Sequence, residues 1–201
     1  MWRHERLVKG FMFVLLLSLS AGAVADAVHH NRIEAALASY PNFEDEFTAG
    51  VVLRGSALVD PQWLVLGGVT ALEGDNSLVA AHGGAAWRHV LDASTDLWGG
   101  VTLEYQEFEG EVCGYTDMSQ GNTCRTESED DLAPGLRAGV RHQFHRDLEG
   151  EVGARYVTGD LDYLGLTATG RYRWRGDVDI LAEVDFYDGN FGLIGGVSLR
   201  F

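Results

Sequence analysis

Lysine is all but missing from these 201 residues: Lys9 is the only one, so every later cation other than histidine is arginine. Positive charge as a whole is scarce, with 15 Lys and Arg against 30 Asp and Glu and a formal net charge of −15. So acidic a chain repels phosphate backbones, which argues against nucleic acid as a partner. Beyond residue 25 there is no long apolar run either. Although 46% of the residues are hydrophobic, no stretch approaches the roughly 20 apolar residues of a membrane helix. The hydrophobicity is interleaved with polar residues instead. Cysteine is limited to Cys113 and Cys124, with no histidine between them, and the carboxylates around them lack calcium-loop spacing. No metal and no cofactor is therefore expected.

What is present begins with Arg3, Arg6 and Lys9, an apolar run at 11–19, and Ala23-Val24-Ala25. A basic end, a short apolar core and an Ala-x-Ala site form a secretory signal peptide over 1–25. Cleavage after Ala25 leaves residues 26–201 as one domain and removes three basic residues and one acidic one, moving the formal charge from −15 to −17.

The remainder breaks into ten alternating stretches, predicted as strands at 31–40, 46–58, 62–73, 77–91, 95–108, 132–145, 148–158, 163–175, 177–187 and 190–201. The connections alternate between tight turns and a second set holding one long loop, 109–131. Phe191, Leu193, Gly195, Val197, Leu199 and Phe201 share one face of the last stretch. A terminal Phe closing such a strand is how bacterial outer-membrane barrels end. Strand count, turn asymmetry and this ending predict an all-β, antiparallel transmembrane β-barrel of ten strands, with eight as the alternative. Two aromatic belts are expected, Trp63, Trp87, Phe144, Tyr172, Trp174 and Phe201 at one end and Phe47, Tyr105, Tyr156, Phe186 and Phe191 at the other.

On the leader, the strand rhythm, Ser94-Thr95-Asp96-Leu97 and Gly195-Gly196-Val197-Ser198-Leu199-Arg200-Phe201, the chain resembles small bacterial outer-membrane β-barrel proteins, in the style of the membrane domain of outer membrane protein A. That relative has eight strands. The resemblance implies location in the bacterial outer membrane after export, and admits structural barrels, narrow pores, adhesins and a few enzymes.

Alternation in the second half places a lumen charge ladder at Arg137, Arg141, Glu149, Glu151, Arg155, Arg171, Arg173, Asp179, Glu183 and Asp185, with opposite signs on adjacent strands within cross-strand reach. Cys113 and Cys124 are expected to form a disulfide. Leu193, Val197, Leu199 and Phe201 form a C-terminal assembly signal for the barrel-assembly machinery. Further partners are outer-membrane lipids and lipopolysaccharide, the latter through divalent cations at the acidic loop, and the protein is expected to be a monomer. The pattern points to a structural or surface-interaction role with a salt-bridged lumen. A narrow, porin-like passage for small ions or solutes is the alternative, and lipid or peptide cleavage a distant one. No spacing places a Ser or Asp beside a His, so catalysis is not expected.

Overall fold

The computed structural model describes residues 28–43, 46–74, 76–115 and 122–201, with backbone alone at 42–43, 46, 111–115 and 122–126. The expected leader, Asp75 and Asp117 lie outside the described residues. Ten strands, β1 Arg32–Phe43, β2 Glu46–Asp60, β3 Trp63–Glu73, β4 Ser77–Val90, β5 Thr95–Tyr115, β6 Asn122–His145, β7 Leu148–Val157, β8 Tyr163–Arg175, β9 Val178–Tyr187 and β10 Asn190–Arg200, form a closed barrel. Each pairs antiparallel with its sequence neighbours, and β1 closes on β10 from Arg32 opposite Arg200 to Ser39 opposite Leu193. Closure satisfies every strand edge of the wall, which membrane burial demands.

The connections follow from local chemistry. In Leu91–Ser94, Asp92 accepts hydrogen bonds from the Ser94 backbone N–H at 2.7 Å and its hydroxyl at 2.8 Å, which hold the Asp92 carboxyl below its usual pKa. At the opposite end Asp188 (φ 45°) and Gly189 (φ 86°) both turn left-handed, the requirement of a two-residue hairpin and the reason for an Asp-Gly pair.

The faces are inverted relative to a water-soluble sheet. Leu37, Val51, Leu53, Val101, Leu103, Leu136, Leu164, Ile180, Leu193 and Leu199 are exposed on the outside, while the inward positions carry charge. A continuous apolar exterior on a closed barrel is the surface of a membrane-spanning barrel. Trp63, Trp87, Phe144, Tyr172, Trp174 and Phe201 are exposed toward the short-turn end, and Phe47, Tyr156, Phe186 and Phe191 toward the other. Tyr105 is half-buried, its hydroxyl donating to Glu107 at 3.0 Å.

The segment 109–131 corrects the expected loop. β5 and β6 stay paired from Thr95 opposite His142 out to Tyr115 opposite Asn122. The neighbouring strands leave them earlier, β4 at Ser77 opposite Glu109 and β7 at Gly135 opposite Val157. Beyond those points the hairpin is a two-stranded arm. Its sequence carries no apolar alternation that would mark it as strand.

Candidate functional site in the barrel lumen

All ten residues of the expected ladder occupy inward positions, and the first half of the chain contributes more: Arg32, Glu34, Arg54, Arg88, Asp96 and Glu104, with Arg200 from β10. Nine arginines thus meet eight carboxylates. The lumen is close to neutral, and the acidity of the chain lies at its rims and turns.

Four arginines and four glutamates form the central network. Arg171 donates through Nε to Glu34 at 2.6 Å and through Nη1 to Glu151 at 2.8 Å and Glu149 at 3.3 Å. Arg32 grips Glu149 with two bonds of 2.8 and 3.0 Å. Arg54 donates to Glu34 at 2.6 Å and to both oxygens of Glu183 at 2.9 and 2.5 Å. Arg141 donates to Glu151 at 3.1 and 2.9 Å, and Trp98 adds its indole N–H to the same carboxylate at 3.1 Å. Thr169 donates to Glu183. Each of the four carboxylates is held by at least two donors, the geometry that makes buried charge tolerable, although Arg32 Nε is buried without a hydrogen bond.

These bonds cross the barrel more than they run along it. Arg171 of β8 reaches β1, Arg54 of β2 reaches β9, and Arg155 of β7 passes over β8 to Asp185 at 2.8 Å. The expected ladder between adjacent strands therefore needs correction. Arg141 does face Glu151, and Arg171 faces Glu149, but Arg137 stands opposite Arg155. Those two take carboxylates elsewhere: Arg137 binds Glu104 at 2.7 and 2.8 Å, and Arg155 binds Asp185. Arg173 lies opposite Asp179 in register, yet Asp179 pairs with Arg200 at 3.0 Å and Arg173 Nε is left buried without a hydrogen bond.

Large side chains fit because small ones face them. A Cβ on Gly192 would fall 2.3 Å from the Tyr40 ring, and one on Gly165 would fall 2.5 Å from Arg155 Nε. Tyr40, whose hydroxyl donates to Asp185 at 2.5 Å, packs with Val52, Leu72, Leu78, Leu181 and Ile194 in an apolar cluster that Phe108 and Tyr187 adjoin. The lumen thus changes from charged to apolar within one barrel. A cavity of about 120 Å³ remains where Leu64 and Leu66 of the apolar side face Arg137, Arg155 and Trp98.

Residues 28–31, ahead of β1, fold into the mouth at the short-turn end. His30 is buried, with Nε2 2.8 Å from Asp96 and Nδ1 3.2 Å from Arg141 Nη1. Since Arg141 can only donate, Nδ1 accepts and Nε2–H donates to Asp96, which describes a neutral imidazole. Ser56 donates to the His30 carbonyl at 2.6 Å, and Arg141 to that of His29 at 2.7 Å. β6 stands five places from β1 around the ring in either direction, so the segment acts as a strut across the mouth.

Leu193, Val197, Leu199 and Phe201 all face outward and are exposed. The side chains of Cys113 and Cys124 lie outside the described residues, and their backbones face each other in register.

No family model matches the chain, and no curated protein matches it. Among solved structures, the KdgM porin aligns with a TM-score of 0.49 at 11% identity, covering 85% of this chain and 99% of that one. The attachment invasion locus protein Ail of Yersinia pestis aligns with a TM-score of 0.43 at 14% identity, covering 85% and 95%. The N-terminal β-barrel domain of Pseudomonas aeruginosa OprF aligns with a TM-score of 0.40 at 8% identity, covering 87% and 100%. The likeness to these small bacterial barrels is one of architecture, and the chemistry of the site rests on this chain's own residues.

Proposed function

We propose that the protein is a monomeric bacterial outer-membrane barrel whose lumen is plugged and whose work is done at the surface, by the acidic β5–β6 arm and the rim around it. The observation that carries this reading is the set of ion pairs spanning the lumen, Arg171 to Glu34, Arg32 to Glu149 and Arg54 to Glu183. Such pairs tie together strands three or four places apart around the ring and leave only a cavity of about 120 Å³. The outward apolar ending at Leu193, Val197, Leu199 and Phe201 suits recognition by the barrel-assembly machinery. The rim carboxylates suit lipopolysaccharide bridged by divalent cations.

Two experiments on expressing cells test the reading. Protease added to intact cells is expected to cut within 110–127 and to spare Pro61-Gln62 and Gly176-Asp177; cleavage at the short turns first would reverse the orientation. Deleting 110–127 is expected to leave the barrel folded while abolishing attachment of the cells to a surface they otherwise bind. Undiminished attachment would refute the surface role. A second reading, a narrow passage for small solutes, is favoured by the 120 Å³ cavity, and conduction across a bilayer would establish it.

A further inference from the structure

Within an acidic protein, the mid-lumen cavity presents positive charge. Of the ion-paired side chains around it, Arg54, Arg137 and Arg155 keep 24%, 18% and 15% of their surface accessible, whereas their carboxylate partners Glu34, Glu183, Glu104 and Asp185 keep 2–4%. Six arginines line the cavity, Arg32, Arg54, Arg137, Arg141, Arg155 and Arg171, against three carboxylates, Glu34, Glu151 and Glu183, each of which is already held by arginine. The register strengthens the point, because Arg137 and Arg155 stand directly opposite each other on β6 and β7. Like charges in that position repel at a Cβ separation of about 5 Å. Each has one carboxylate of its own, on the side away from the other, so a shared anion between them would relieve the repulsion. Arg137 Nη1 is left over from its two bonds to Glu104, while Arg155, which bonds Asp185 through Nη2, lies over the rings of Tyr163 and Tyr187 at 5.6 and 5.8 Å.

From these observations we infer that the cavity is a binding site for one small oxyanion, a carboxylate or a phosphate, held between Arg137 and Arg155 with Arg54 at its side. The volume sets the size. At about 30 Å³ per water, 120 Å³ holds roughly four waters, enough for acetate or inorganic phosphate and too little for a chain of sugars. Leu64 and Leu66 add no acceptor to the lining, and its three carboxylates, Glu34, Glu151 and Glu183, are each engaged by arginine. The site depends on lumen geometry alone and is independent of the surface role, so either can fail without the other.

The test uses the mature protein refolded in detergent micelles at low ionic strength. Carbon-13 line broadening of acetate should saturate with one site per barrel, and inorganic phosphate should reverse it. The paired substitution Arg137→Gln with Glu104→Gln keeps the lumen's charge balance and should weaken binding at least tenfold. Arg146→Gln, in a turn outside the lumen, should leave it unchanged. Displacement of acetate by phosphate shows an oxyanion site open to both, while failure of phosphate to compete restricts it to planar carboxylates. Broadening that stays linear with acetate in the wild type overturns the inference whether or not the variants fold. Equal binding by the Arg137→Gln, Glu104→Gln protein overturns it as well.

Discussion

Replacing Arg171 by methionine keeps most of the side chain's bulk and removes one cation from a network of four arginines and four glutamates. Arg171 is 4% exposed and touches Glu34, Glu149 and Glu151. Each of those carboxylates retains another arginine: Arg54 for Glu34, Arg32 for Glu149 and Arg141 for Glu151. The substitution therefore leaves one uncompensated charge, spread over the cluster. Breaking a buried pair from one side costs about 3–5 kcal/mol, or between two and four powers of ten in the folding equilibrium at about 1.4 kcal/mol per tenfold. Urea unfolding of the protein refolded into phospholipid vesicles, followed by tryptophan fluorescence, measures it. Adding Glu151→Gln restores equal numbers, three and three, and should recover at least half of the loss. A cost below about 1 kcal/mol, the range of exposed pairs, or a double variant weaker than the single, would refute the view that the lumen is a closed, balanced network.

Peptide mass spectrometry without reductant should find Cys113 joined to Cys124, because register partners on antiparallel strands lie about 4.5–5.5 Å apart at Cα, within disulfide reach; two free thiols in fresh membranes would exclude the bond. Gly192→Val should impair refolding by more than about 1 kcal/mol, since its Cβ would meet the Tyr40 ring at 2.3 Å; a wild-type refolding yield and midpoint would contradict this packing. Burial lowers the pKa of His30, with Arg141 and Arg88 adding to the effect and Asp96 opposing it. A depressed histidine contributes stability above its unfolded pKa of about 6.5 and loses it as pH falls. The strut held by His30 among Asp96 of β5, Arg88 of β4, Arg141 of β6 and Arg32 of β1 should therefore loosen on acidification. A nitroxide at Val28→Cys should become more mobile between pH 7 and pH 5, and constant mobility would refute the neutral, docked imidazole.

The second half of the chain was readable because charged inward positions recur between apolar outward ones in β6 to β9, as in Arg171-Tyr172-Arg173-Trp174, with only occasional apolar inward residues such as Leu181. The first half hides its lumen. Leu64 and Leu66 face inward between the outward Trp63 and Val65, and Leu78 and Ala80 likewise beside Val79, so both faces read as apolar. Arg32, Glu34 and Arg54 were missed for that reason. Partner choice was illegible for another. Sequence spacing describes neighbouring strands, whereas long arginines in a narrow barrel reach across it, as Arg171 does to Glu34. Asp96 offered a signal in hindsight, since with Thr102, Glu104 and Gln106 it sets a polar inward face against the outward Leu97, Val101 and Leu103, but its partner His30 lies ahead of the first strand. The β5–β6 arm was hidden because its sequence shows no apolar alternation.

Single-channel recording of the refolded protein in a planar bilayer tests the plugged lumen most directly. The account predicts silence at neutral pH, with brief openings only when the network is broken, as in Arg171→Ala or Glu183→Ala. Steady, sizeable conductance in the wild type, with ion selectivity altered by those same substitutions, would contradict it and make the barrel a pore.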